Sequence, residues 1–425
     1  MRYQPPVGAT DPNAPYVGRS LASGGSAGSR VPARAIEYGM REIVNAILAA
    51  GLTPSDADLT QLAKAIDRRS PILDELRAPS DFVPKMIVGA GRSAMGATLT
   101  GTSKWFGGVL GPDGKVYCLP YGANDILIID PTAGTATRSS MGADLSGGNK
   151  WVGGVMGPGG KLYGVPNNAA DILVIDTAAG SATRSAMGAT LATGGAWRGG
   201  ALGRDGKIYC VPYNATDILI IDPAAGSATR SALGGTFSDA GKWQGAVLAP
   251  NGKIYCVPYN ATDILIIDPA AGTATRSAMG ADLVGTAKWS GAALAPNGKI
   301  YCMPSGATDI LIIDPAAGMA TRSAMGATLS DAGKWNGAAL GPDGKIYGVP
   351  STATDILVID PAAGSATRTV LGGSFAGTAK WFGGVLAGDG KIYGAPVDST
   401  DVLTIGKFVA NFRSSALISA YLNTF

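Results

Sequence analysis

From Trp105 onward the apolar residues come in short runs that never reach helical length. The stretch from Lys242, KWQGAVLAPNGKIYCVPYNATDILIIDPAAGTATRSAMGADLVGTA, holds four runs of strand character separated by turn residues. WQGAVLAP is strand a. Asn251-Gly252 readily adopts the left-handed conformations of a tight hairpin and leads into strand b, KIYCVPY. Strand c, DILIIDP, is a β-branched run suited to burial on both faces, and Ala270 to Gly272 turn it into strand d, TATRSAM.

The unit returns every 46 residues, at Trp105, Trp151, Trp197, Trp243, Trp289, Trp335 and Trp381. Four strands per repeat of this length is the pattern of a β-propeller. A helical solenoid needs longer runs with a 3.6-residue period, and a β-helix uses much shorter coils. The arginine of strand d occurs at Arg92, Arg138, Arg184, Arg230, Arg276, Arg322 and Arg368, so one copy precedes the first Trp and none follows the last. Pairing the segment Met86 to Met95 with the three strands of the Trp381 repeat completes a last blade and removes two open sheet edges. The expected fold is mainly β: a seven-bladed β-propeller over residues 81–406 with four-stranded blades and a Velcro closure by the amino-terminal d strand. In this frame the tryptophans pack between blades, and residues like Asp130 and Arg138 bridge strands c and d. Cys118, Cys210, Cys256 and Cys302 share one repeat position, are too far apart for disulfides, and read as buried fillers.

The flanks differ in pattern. Residues 1–31 are rich in Gly, Pro, Ser and Ala and read as an extended arm that orders against a partner. Residues 32–80 read as a two-helix segment: Pro32 opens a first helix with Ile36, Met40, Ile43, Val44, Ile47 and Leu48 on one face, which stops at Gly51. Thr53-Pro-Ser-Asp56 resembles a capping box for a second helix with the stripe Leu59, Leu62, Ala63 and Ile66. Two such helices bury little alone, and Ile36, Met40, Ile43, Ile47, Leu59 and Leu62 are the candidate docking residues, with packing on the propeller as the alternative. Residues 407–425, with Phe408, Phe412, Leu417, Ile418, Tyr421 and Leu422, read as a tail that packs under the propeller or against the helices.

Composition removes most chemistry. The chain has 46% hydrophobic and 15% charged residues, 63 Gly and 26 Pro, as expected of many short strands joined by tight turns. A net charge of +3, spread evenly with the repeat, argues against nucleic acid as a partner. No apolar run approaches a membrane span, and the amino terminus lacks an apolar signal core, so the chain reads as made in the cytoplasm with no membrane insertion. There is no histidine, and the only glutamates are Glu37, Glu42 and Glu75, outside the propeller. Histidine-based triads and metal sites are thereby excluded, no nucleotide-binding loop is present, and neither a cofactor nor a metal is expected. Aspartates such as Asp113, Asp125 and Asp130 read as turn and strand-end residues, so the expectation is a binding protein and not an enzyme.

The repeats differ from one another unevenly. The a–b turns (PDG, PNG) and c–d turns (DPAAG) hardly change, while the b–c and d–a loops, which share the other face of a propeller, do. The residue after each Trp runs Phe106, Val152, Arg198, Gln244, Ser290, Asn336 and Phe382. The b–c loops begin at Tyr121, Asn167, Tyr213, Tyr259, Ser305, Ser351 and Val397, with Asn214 and Asn260 next to two of the tyrosines. Aromatic and amide side chains stack on sugars and hydrogen-bond hydroxyls, which makes Phe106, Tyr121, Asn167, Arg198, Tyr213, Asn214, Gln244, Tyr259, Asn260, Asn336 and Phe382 the candidate binding residues.

Val31 to Ile66, VPARAIEYGMREIVNAILAAGLTPSDADLTQLAKAI, resembles the amino-terminal attachment segment of tail fibre and receptor-binding proteins of tailed bacteriophages. The resemblance rests on Arg41-Glu42-Ile43-Val44, Ala50-Gly51-Leu52-Thr53-Pro54 and Asp58-Leu59-Thr60-Gln61-Leu62, with Tyr38-Gly39-Met40 as a departure. It implies a virion protein, made in the host cytoplasm, that docks on other phage tail or baseplate proteins through residues 1–80 and turns its body towards a glycan or protein of the host surface. It also implies a homotrimer. The alternatives are a structural tail or baseplate decoration without a receptor and, as a third class, a glycan-degrading enzyme working with aspartates.

Overall fold

In the computed structural model the described residues are 86–409, apart from 192, 193 and 332. The arm 1–31, the segment 32–80 with Ile36, Met40, Ile43, Ile47, Leu59 and Leu62, and residues 410–425 of the tail lie outside them. The described chain forms seven four-stranded antiparallel sheets, and six of them take their strands in the order a-b-c-d along the sequence. In the fourth blade these strands are Trp243–Leu248, Ile254–Pro258, Ile264–Asp268 and Thr273–Ser277. The seventh sheet is ordered Met86–Ser93, Val402–Val409, Ile392–Pro396, Trp381–Leu386, so the first strand of the chain supplies its strand d. The expected Velcro closure is therefore present. Strand c of this blade runs to Val409, past the expected boundary at 406. Because strand d starts, and strand c ends, on the face of the a–b and c–d turns, the polypeptide enters and leaves the propeller there.

Two turns of the ladder were not anticipated. Strand d ends at Ser277 and not at Met279, because Met279 adopts φ +49°. The six equivalent residues, Met95, Met141, Met187, Leu233, Met325 and Leu371, do the same. In the Met279 turn the amide is held by Ser277 Oγ at 3.1 Å and the carbonyl accepts a bond from Ala320 N of the next blade at 2.7 Å, which offsets the left-handed strain. The same inter-blade bond closes the ring, from Ala90 N to Leu371 O at 2.9 Å. Strand a carries a bulge in every blade, as between Trp243 and Ala246. It places Gly107, Gly153, Gly199, Gly245, Gly291, Gly337 and Gly383, with φ from +73° to +97°, in a ring about the axis. A Cβ on any of them would meet the Cα of the glycine in the next blade at 2.6 to 3.3 Å. The throat is lined by backbone, glycine against glycine.

The core is divided among the blade junctions. Seven apolar clusters each hold one fully buried tryptophan, and each draws on two adjacent blades. Trp243 sits between Tyr209, Val211 and Ile218 of the blade before and Ile254, Cys256 and Leu265 of its own. The four cysteines are buried and free in strand b, as the filler reading requires, and burial pushes the Cys118 thiol up to about 12.

The polar side of each joint corrects one expectation. Arg138 does not pair with Asp130: its Nη2 lies 2.7 Å from Asp125 at the start of strand c. Asp130 instead accepts the amides of Thr132 and Ala133 in the c–d turn and lies 3.8 Å from Lys115. Arg138 faces Leu127 in the ladder, so pleating puts it on the side of Asp125, two residues away, and opposite to Asp130, three residues away. The Trp105 indole donates to the Asp125 carbonyl at 2.8 Å, and the Arg138 guanidinium lies 5.3 Å from its ring. In the last blade Arg92 joins Asp401 at 2.9 Å and covers Trp381 at 5.2 Å, so the closing strand brings its own copy of the joint.

A second joint uses the residue before each Trp: Lys104, Lys150, Lys242, Lys288, Lys334 and Lys380, each at most 3% exposed, with Ala196 in the third blade. The ammonium groups donate to carbonyls of the previous blade and of their own approach loop. Lys104 Nζ lies 2.8 Å from Val397 O and 2.6 Å from Gly101 O. Burial lowers Lys104, Lys150, Lys242, Lys288 and Lys380 to about 8 while the carbonyls favour the charged form.

Two outcomes follow for stability. Gly337→Ala and Gly318→Ala both force a left-handed alanine, a cost of about 1–2 kcal/mol. Gly318 has open space around it, whereas the Gly337 Cβ would lie 2.6 Å from the Gly383 Cα. Denaturant unfolding of the full chain should show Gly337→Ala as the more damaging by at least about 1 kcal/mol; equal losses would mean that the throat is not packed as described. The lysines give a pH dependence. Between about pH 8 and their ordinary value of 10.5 the folded chain binds fewer protons than the unfolded chain, so stability rises with pH across that window. The rise should be opposed from about pH 9, where the four buried cysteines, and at higher pH the tyrosines, with raised folded pKa values keep protons that the unfolded chain loses. Unfolding midpoints measured from about pH 7 to about pH 9 should climb, and less steeply in Lys288→Met.

Candidate functional site

Strand a is the innermost strand, and its second residue follows the buried tryptophan and precedes the throat glycine. The bulge turns this side chain towards the axis, where those of different blades meet. Phe382 and Phe106 lie 4.9 Å apart, centroid to centroid, across the junction of the last and first blades. Arg198 Nη1 donates to Gln244 Oε1 at 3.3 Å, and Gln244 Nε2 to Ser290 Oγ at 2.7 Å. Val152, Arg198, Gln244 and Phe382, from four blades, line one cavity of about 50 Å³ above the glycines. Asn336 stands half-buried on the same ring.

The loop tyrosines form the next circle outward. Tyr121 packs on Phe106 with centroids 4.3 Å apart, and Tyr213 and Tyr259 lie 5.8 Å apart. The Arg198 guanidinium carbon sits 3.7 Å from the centre of the Tyr213 ring. Burial raises the phenol pKa of Tyr121 and Tyr259, and the nearby Arg198 charge works against the rise. The result is a half-buried aromatic surface with one cation at its centre. Among the described residues the hydroxyls of Tyr121, Tyr213 and Tyr259 make no hydrogen bond. By contrast, Tyr117, Tyr209, Tyr347 and Tyr393 in strand b each donate to an aspartate of the a–b turn.

The amides are differently employed. Asn167 is 1% exposed and donates to Trp197 O at 3.3 Å. Asn214 Oδ1 accepts Gly241 N at 2.8 Å while its Nδ2 donates to Gly194 O, and Asn260 Oδ1 accepts Ala287 N at 2.7 Å. These side chains latch one blade's b–c loop to a neighbouring d–a loop. Gln244 is buried between Arg198 and Ser290. The structure thus brings Phe106, Tyr121, Arg198, Tyr213, Gln244, Tyr259, Asn336 and Phe382 to the axial mouth, and spends Asn167, Asn214 and Asn260 on the loops around it. The invariant glycine two positions after each Trp, which shapes the mouth, and the buried lysines beneath it were not singled out in the sequence. The W-x-G spacing and the K-W pair carried that signal.

Charge at this face is arranged by radius. Asp239 and Asp331 in the d–a loops bind Arg276 and Arg368 of the outermost strand, at 3.4 and 2.9 Å. Among the described residues no three His, Cys, Asp or Glu side chains come together in a way that could hold a metal ion.

No protein-family model matches this chain, and no curated protein does. Solved structures do match in fold. A streptogramin B lyase is similar over 76% of this chain and 99% of its own length, with a TM-score of 0.59 and 14% identity. The virginiamycin B lyase from Staphylococcus aureus covers 75% of this chain and 99% of its own, with a TM-score of 0.60 and 15% identity. Hydrazine synthase of Kuenenia stuttgartiensis covers 74% of this chain and 99% of its own, with a TM-score of 0.53 and 16% identity. At these identities the likeness is one of architecture, the β-propeller.

Proposed function

We propose that this chain is a tail fibre or receptor-binding protein of a tailed bacteriophage that acts without catalysis. It docks on tail or baseplate proteins through residues 1–80 and presents the propeller to a glycan or outer-membrane protein of the host. The carrying observation is geometric: the residues in which the repeats differ most gather at one axial mouth, on the face opposite to the one where the chain enters at Met86 and leaves at Val409. A protein that attaches by its amino-terminal segment and reads a surface with its body needs that polarity. The attachment-like motifs between Val31 and Ile66 supply the biological context.

The lyase likeness invites an enzymatic reading, and the residues speak against it. A catalytically inactive form of the Staphylococcus aureus lyase, bound to quinupristin, has a histidine replaced by alanine, and this chain has no histidine. The aspartates of the b–c and d–a loops on this face pair with arginines, as Asp239 and Asp331 do, or accept backbone amides, as Asp398, Asp144 and Asp282 do. Aromatic faces with unpaired hydroxyls suit the binding of sugars better than their cleavage.

Purified full-length chain added before infection should compete with the phage for its host and slow adsorption in a dose-dependent way. Labelled antibody against the chain should mark the virion tail by electron microscopy. Tail labelling without competition would instead favour a decoration protein with no receptor, and absence from virions would end the proposal.

A further inference from the structure

Arg198 is unlike the other arginines of this face. The seven strand d arginines each meet an aspartate at 2.7 to 2.9 Å. Arg230 shows the full pattern: Nε and Nη2 donate side by side to the two oxygens of Asp217, at 3.0 and 2.7 Å, and Nη1 donates to the Thr190 carbonyl at 3.1 Å. Arg198 reproduces one half of it. Its Nη1 has a neutral acceptor, Gln244 Oε1, and its plane is fixed on the Tyr213 ring. Its Nε is buried with no hydrogen-bond partner, and among the described residues Nη2 has none and no carboxylate lies within ion-pair distance.

The edge formed by Nε and Nη2 is the fork that matches a carboxylate, and in this protein the same edge holds carboxylates in strand d. A buried N–H without an acceptor is rare in folded proteins and calls for an explanation. Arg198 also lines the axial cavity of about 50 Å³, whose other walls are mainly glycine backbone, Val152 and Phe382. Rotation of the guanidinium away from its position would break the stack on Tyr213. The guanidinium plane is therefore pre-set with Nη2 open to a ligand, which reduces the ordering cost of binding, while Nε, buried in the free chain, is reached once the side chains that cover it yield.

We infer that the axial mouth binds a carboxylate on the Nε–Nη2 edge of Arg198, and that the ligand is an acidic glycan carrying uronic or other carboxylated sugars. The inference rests on the receptor-binding reading and names its substrate class. Tyr121, Tyr213 and Tyr259 surround the cation with ring faces for neighbouring sugar units and hydroxyls for their oxygens. The acidic residues Asp239 and Asp331 lie out at the rim on arginines of their own and leave the central cation unpaired.

The test uses the folded full-length chain and matched saccharide pairs in titration calorimetry: sialyllactose against lactose, and a glucuronate-ended oligosaccharide against its carboxyl-reduced, glucose-ended counterpart. At least one carboxylated member should bind about tenfold or more tightly than its neutral partner. That preference should vanish in Arg198→Met and survive in part in Arg198→Lys, which keeps the charge and loses the fork. Thermal unfolding of both variants checks that the propeller is intact, and the carboxyl-reduced probe tests the same point with no variant at all. Equal affinity within every pair, failure of all carboxylated probes, or an unchanged preference in Arg198→Met would overturn the inference. Binding of the chain to host cells separates the two levels. If cells are bound and Arg198→Met binds them equally well, the carboxylate site is wrong and the receptor reading stands; if cells are not bound, the receptor reading itself fails.

Discussion

A tryptophan buried where two sheets meet poses a polar problem as well as an apolar one, since its indole N–H loses water along with the ring. Each blade solves both at once. The ring fills a cluster drawn from two blades, the N–H reaches the carbonyl of the aspartate that opens strand c, and that aspartate's carboxylate fixes an arginine over the ring. Truncating such a side chain typically costs about 3–5 kcal/mol, and here it would also strand a carbonyl and an ion pair. Because every joint belongs to two blades, no blade is complete without its neighbours. The ring therefore depends on the joint that Arg92 brings from the other end of the sequence.

Much of this was legible because it repeats. The spacing of Trp105 to Trp381 gave the blades, and the extra Arg92 ahead of the first tryptophan gave the closure without any knowledge of contacts. The partner of that arginine was misread because Asp125 and Asp130 flank strand c symmetrically as residue types. Only the parity of pleating relative to Arg138 separates them, and parity needs the register of the c–d pair. The end of strand d was overestimated for a related reason: Met279 is apolar and continues the run, but its carbonyl is needed by the neighbouring blade, and a left-handed turn delivers it.

The candidate site was only partly legible, and the reason is that variation between repeats has two physical sources. Asn214 and Asn260 vary because different d–a loops leave different amides to be satisfied, and an asparagine side chain is one way to do it. Where Gly122 or Gly306 occupies that position, the loop is held by its backbone amide alone, through Ser103 O or Ala287 O. Arg198 varies for a different reason, since Ser290 or Val152 at the same repeat position leaves the frame intact and no neighbour requires a guanidinium. A single sequence does not distinguish a residue that adapts the frame from one that is free of it; hydrogen-bond partners do.

A ring of near-identical units also restricts where a unique site can lie. At the outer strand, equivalent positions of neighbouring blades are a whole blade apart, so a change in one copy is felt only in that copy. At the axis the side chains after the tryptophans touch one another across blade boundaries, as Phe382 touches Phe106 and Arg198 touches Gln244. One arginine among seven positions is then enough to give the whole mouth a centre of charge, and three tyrosines are enough to give it an apolar side. The glycine throat makes this arrangement workable, because backbone packs on backbone around the axis whatever residues stand above it. Symmetry in the frame and asymmetry at the mouth are thus two consequences of the same geometry: blades that must fit one another everywhere except at the one place where all of them meet.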